Sequence, residues 1–219
     1  GNGTCAAYLG TMYYFGMTGP PDIVTAEKWY ERGVKLHDPI AGYDLGSLFS
    51  TDSNHPHDIP KAVNLLRESA QAGYVPSMHS LGLLLLNHPE LEQTTNEALI
   101  SVQTAASVGE WRSSILLGII ARDGKLGPVD RKSAILHFQI AVLQGGEQVE
   151  HLLRHDISKL SAGLNTEECA SISSAAQAWY AEHHVVQKFV ITNPEVTKYF
   201  PLPPNTDVIK QAFAAHSNS

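Results

Sequence analysis

Residues 5–33 read CAAYLGTMYYFGMTGPPDIVTAEKWYERG, an apolar helical run broken by a Gly-Pro loop and followed by an amphipathic one. The Leu9-Gly10 pair needs a reason, because glycine inside a helix costs about 1 kcal/mol relative to alanine. The pair returns as Leu45-Gly46, Leu81-Gly82 and Leu117-Gly118, each 36 residues after the last, so the chain is a repeat.

Four residues before each glycine's partner leucine stands a small residue, Cys5, Ala41, Ser77 and Ser113, and three after each glycine stand Tyr13, Phe49, Leu85 and Ala121. Small, leucine and large apolar side chains at i, i+4 and i+8 share one helical stripe, as in a helix that buries one face. The adjoining glycines then let a neighbouring helix approach closely.

A second helix follows in each unit. Asp22, Asp58, Thr94 and Asp130 are placed to cap it, four residues before Ala26, Ala62, Ala98 and Ala134. It runs on through Tyr30, Leu66, Val102 and Phe138, then Val34, Ala70, Ala106 and Val142, and ends near His37, Gly73, Gly109 and Gly145, the glycines suiting a left-handed terminus. The outer units join their helices by GMTGPPD (16–22) and GKLGPVD (124–130); the inner ones read DSNHPHD (52–58) and HPELEQT (88–94), of equal length. Hairpins with a fixed period bury their faces only by stacking. The expected fold is all-α: a right-handed α-α superhelix, or solenoid, of four 36-residue helical hairpins over 4–146.

Helices over 148–160 and from a Thr166 cap to His183 read as C-terminal capping helices within 147–184, the first suited to a degenerate fifth hairpin. Residues 185–219 form an irregular Pro-containing tail with a final helix at 207–216. The tail is expected to strap its own array, the alternative being a neighbouring chain's groove.

The repeated pattern, small-x-x-x-Leu-Gly-x-x-aromatic-x-x-Gly, then Asp-x-x-x-Ala and a terminal Ala-x-x-Gly, resembles the Sel-one-like repeat family, a relative of the tetratricopeptide repeats. The two middle copies lack the loop glycines, and Trp29 gives way to Leu65, Ser101 and His137. The resemblance implies a scaffold or adaptor that binds a protein or peptide on its curved surface. It also implies that the concave face is lined by Tyr14, Tyr43, Ser47, His79, Leu83, Asn87, Arg112, Ile119 and Arg122. Tyrosines there offer contact area with a polar tip, and the two arginines offer forked donors suited to an acidic peptide end.

Composition narrows the classes. The 219 residues carry a net charge of −7 and 43% hydrophobic side chains, ample for a core and ill suited to nonspecific nucleic-acid or anionic-membrane binding. Apolar runs such as Leu81–Leu86 fall short of the ~20 residues of a membrane span. The absence of a starting Met or leader points to a processed or trimmed chain, leaving cytoplasmic and periplasmic locations both open. Cys5 and Cys169 are widely separated and read as two buried thiols. His55 with His57, His151 with His155, and His183 with His184 lack the cysteine or acidic companions of a zinc site. No phosphate loop, Gly-x-Ser-x-Gly elbow or His-Glu-x-x-His is present. The expectation is therefore no cofactor, no metal and no enzyme, with a self-associating module, a homodimer through the tail, or a hydrolase built on the unused histidines and Cys169 as the alternatives.

Overall fold

The computed structural model describes residues 2–17, 19–53, 55–91 and 94–183, all within one compact unit spanning Gly1–Val185. The expectations for 185–219, strap or swapped tail and final helix, lie outside the described residues.

Ten helices make up this part: α1 (Gly3–Tyr14), α2 (Ile23–Val34), α3 (Pro39–Thr51), α4 (Ile59–Gln71), α5 (Val75–Asn87), α6 (Thr94–Ser107), α7 (Trp111–Asp123), α8 (Arg131–Gly145), α9 (Glu147–Ser161) and α10 (Thr166–His183). α1 pairs with α2, α3 with α4, α5 with α6 and α7 with α8. The second helix of each hairpin then rests on the first helix of the next, and the first helices touch one another in series. Each first helix begins two residues before the small residue that marks it in the sequence.

The Leu-Gly pairs pack as their chemistry requires. A Cβ at Gly10 would lie 2.5 Å from the ring of Tyr30, and one at Gly46 would lie 2.9 Å from Leu66 Cγ. At Gly82 and Gly118 a Cβ would collide with Val102 and Phe138. The helix that needs the close approach is thus the partner within the same hairpin. Leu45, Leu81 and Leu117 lie buried beside these contacts. One apolar cluster runs without a break from Ala26 and Tyr30 through Leu45, Phe49 and Leu66 to Leu85 and Ala98, and a second joins Val102 and Ala106 to Leu116, Leu117 and Ile120.

The caps follow the aspartates. Asp22, Asp58 and Asp130 accept from the backbone N–H of Thr25, Lys61 and Ser133 at 2.9, 3.0 and 3.0 Å. Gly73 and Gly109 take the left-handed conformation at the helix ends, and His37 takes it too, with φ 56° and no glycine to ease it. In the fourth unit the glycine with positive φ is Gly146, at φ 71° and ψ −156°, because α8 continues through Gly145.

After α8 the pattern changes. α9 occupies the place of a fifth first helix, with Val149 and Leu153 buried in the columns of Ser113 and Leu117. Its residue in the glycine column is Arg154, exposed and 3.4 Å from Glu150. A second helix has no bare backbone to press against there, and α10 packs on α8 instead. α10 keeps the sequence register of a second helix, yet Ala170 and Ser174, in the columns of Ala134 and Phe138, face solvent, while Ile172 and Ala176 are buried. Its cap is Asn165 rather than Thr166: Asn165 Oδ1 accepts from Glu168 N–H at 2.9 Å and Glu168 Oε2 accepts from Asn165 N–H at 3.0 Å, a reciprocal capping box. The buried-thiol expectation fails at Cys5, which is exposed, and Cys169 is half-buried.

Candidate functional site

The first helices α1, α3, α5 and α7 lie side by side, and polar bonds cross from each to the next. Thr4 Oγ1 donates to Asp38 Oδ2 at 2.6 Å, Thr11 Oγ1 to Asp44 Oδ2 at 3.3 Å and Tyr14 Oη to Asp52 Oδ2 at 2.6 Å. Further on, His79 Nδ1 lies 2.9 Å from Ser113 Oγ, and Arg122 Nη1 reaches Asp156 Oδ1 of α9 at 3.4 Å. Each rung joins residues 33 to 38 apart, one repeat length.

The centre of this face is Asp44. Its hydroxyl partner, Thr11 Oγ1, has a single proton and also lies 3.1 Å from the Ala7 carbonyl, while receiving the Tyr30 hydroxyl at 3.3 Å. No cation pairs with Asp44 among the described residues. Burial, reinforced by the charge of Asp38, pushes its carboxyl up to about 7. Tyrosines surround it electrically: burial first, then Asp44, Tyr43, Tyr8 and Asp38, raise the Tyr74 phenol, and the same burial and Asp44 charge raise Tyr43. The rings of Tyr43 and Tyr74 meet edge to face with centroids 5.4 Å apart.

The nine residues singled out by resemblance divide accordingly. Tyr43 and Ser47 belong to the Asp44 cluster, Tyr43 being hydrogen-bonded to Ser47 and Ser80. Tyr14 lies a turn beyond, its phenol pushed up to about 12 by burial and by Asp52. His79 is buried between Ser113 and Glu110 Oε2, at 3.5 Å, and desolvation holds it below its usual range. Ile119 is buried, Leu83 packs on the second apolar cluster, and Asn87 is exposed at the end of α5. Arg112 contacts Glu110 at 3.1 Å and lies over the Trp111 ring, 4.7 Å from its centroid. Arg122 holds both oxygens of Asp123 as well as Asp156. The two arginines thus have internal carboxylates.

Serine, histidine and glutamate do meet at His79, but Ser113 Oγ and Glu110 Oε2 both approach Nδ1, and Ser113 has no exposed surface. A proton relay needs base and orienting acid on opposite ring nitrogens and an accessible hydroxyl, so this cluster is packing chemistry. Of the paired histidines, His55 Nε2 lies 3.3 Å from Glu27, and His183 stacks on Trp179. Among the described residues no helix is long and apolar enough to cross a membrane.

Sequence reasoning missed Tyr8, Thr11, Asp44 and Tyr74. One signal was available: Tyr8, Asp44, Ser80 and Leu116 form the column before each Leu-Gly leucine, and Asp44 is its single charge.

Capped helical hairpins stacked through small residues at a fixed period define the helical-hairpin solenoids, the class that includes the tetratricopeptide repeats. The particular family is the Sel1 repeat, whose model matches residues 4–38, 39–74 and 112–146, and the chain is a Sel1-repeat protein. The stretch between the second and third matches holds α5 and α6. An uncharacterized protein of Neisseria meningitidis serogroup B is 32% identical over 145 residues, which are 66% of this chain and 30% of that protein. A Sel1 repeat protein from Oxalobacter formigenes superimposes with a TM-score of 0.64 at 19% identity, over 84% of this chain and 71% of that one. A protective antigen of uropathogenic Escherichia coli strains, described as displaying an SLR fold, superimposes with a TM-score of 0.50 at 17% identity, over 84% of this chain and 46% of that one. The chain therefore spans less than half of the Neisseria and Escherichia proteins. These likenesses establish the fold, and Sel1 repeats typically serve as protein-interaction scaffolds.

Proposed function

We propose that the row of first helices binds a segment of another protein without catalysis, and that the segment presents a lysine or arginine side chain to Asp44. The observation that supports this reading is the Asp44 carboxyl: it stands with Tyr43 and Tyr74, shares one hydroxyl with a backbone carbonyl, and has no counter-charge among the described residues. Tyrosine faces and a carboxylate are complementary to a cation, and a desolvated ion pair is worth more than an exposed one. An acidic segment is disfavoured because Arg112 and Arg122 already serve Glu110, Asp123 and Asp156.

The test is titration of the chain with an immobilised peptide library in which basic and acidic peptides are equally represented. Binders enriched in Lys or Arg, lost about tenfold or more on Asp44→Asn, are expected. Enrichment of acidic peptides, or indifference to Asp44→Asn, would overturn the basic-segment reading. A dimer mass with no peptide binding would favour self-association through 185–219 instead.

A further inference from the structure

The first helices are not equally covered. On α3, α5 and α7 the residues that face the preceding second helix are hidden: Ala41, Ser77 and Ser113 are 0% exposed, and Leu45, Leu81 and Leu117 are buried below them, with Leu48, Leu84 and Ile120 one turn further. On α9 the same columns hold the buried Val149 and Leu153. Specific contacts make the cover. The Ser69 Oγ of α4 lies 2.6 Å from Ser77 Oγ of α5, a Cβ at Gly33 of α2 would collide with Ala41 of α3, and one at Gly145 of α8 would collide with Val149 of α9.

On α1 the corresponding face is open. Cys5, in the column of Ala41, Ser77 and Ser113, is exposed; Leu9 and Met12 are only half-buried; and Tyr8 beside them is 44% exposed. None of the four carries a charge. An array end that is meant to meet water has a polar outer face. The opposite end obeys this rule, since α10 turns Glu167, Gln177 and Glu182 outward.

We infer that this face of α1 is a seat for the second helix of a further helical hairpin of the same repeat type, which would bring a glycine, serine or alanine against Cys5. The inference rests on continuity: the same face of four later helices is covered in this manner by α2, α4, α6 and α8. It goes beyond the peptide-binding reading and does not depend on it, because it rests on the cover of Cys5, Leu9 and Met12 and uses neither Asp44 nor Thr11.

The experiment places a second copy of residues 39–74 directly before Gly3 of the full chain, which preserves the 36-residue spacing and brings the copied Ser69 to Cys5. Cys169→Ser in both proteins leaves Cys5 as the thiol that reacts with a water-soluble disulfide reagent. The unextended chain is expected to react freely, and the extended one about tenfold or more slowly, with helix content raised by two helices. An unchanged thiol rate, or a copied hairpin that adds no helix, overturns the inference. So does concentration-dependent protection of Cys5 in the unextended chain together with a dimer mass, which would make a second copy the occupant.

Discussion

Asp44 is the residue whose chemistry is least settled by its neighbours, and pH exposes this. Its carboxyl titrates near 7 in the fold against an ordinary value of 3.8, so the folded state holds the proton more tightly than the unfolded chain. Its contribution is fully present below the ordinary carboxylate range and is lost as pH rises from about 4 through about 7. Denaturant melts at pH 4 and pH 8 are expected to show Asp44→Asn becoming the more stable form at the higher pH, by about 1 to 4 kcal/mol, with a flatter profile. Equal pH profiles for the two proteins would mean that the carboxyl is solvated. His37 offers a second residue-level test. A β-carbon in the left-handed region is strained, and His37→Gly is expected to raise the unfolding free energy by about 0.5 to 1 kcal/mol in the same assay, despite the entropy that glycine loses.

Between elements, the contact of glycine with the paired helix decides where hairpins form. Gly118→Ala would gain about 1 kcal/mol of helix propensity, yet it drives a methyl group into the fully buried ring of Phe138, so a net loss of about 1 to 3 kcal/mol is expected in chemical denaturation. Gly127→Ala, with nothing near its added carbon, should lie within about 0.5 kcal/mol of the parent. The hairpins were legible in the sequence because a 36-residue period, the Leu-Gly pairs and the capping aspartates are local signals that recur. The turn of α10 onto α8 was not, since Ala170, Ser174 and Ala178 keep the repeat register and periodicity says which face is apolar, not which neighbour covers it. Arg154 was the available clue, an arginine where four glycines precede it. The Asp44 cluster was hidden for a related reason: whether a carboxylate is desolvated depends on Thr11, Tyr43 and Tyr74, which come from two repeats and lie far apart in the sequence.

Over the array as a whole, stability is expected to be graded, because repeats gain most of theirs from nearest neighbours. Among the described residues α1 has no helix on its leading face, whereas α7 and α8 are packed on both sides, α8 by α7, α9 and α10. Native-state hydrogen exchange should therefore find the amides of α1 and α2 opening first and those of α7 and α8 last, with protection differing by about tenfold or more. Uniform protection from α1 to α8 would indicate a single cooperative block. Arg154 gives the molecule a polarity that its repeats alone lack. A stack of equal hairpins is a polymer that can lengthen at either terminus, but an arginine in the glycine column of α9 acts as a chain terminator. Added units are then accommodated ahead of α1 or between existing hairpins, and the length of the binding surface can change by whole repeats while the terminating end stays fixed.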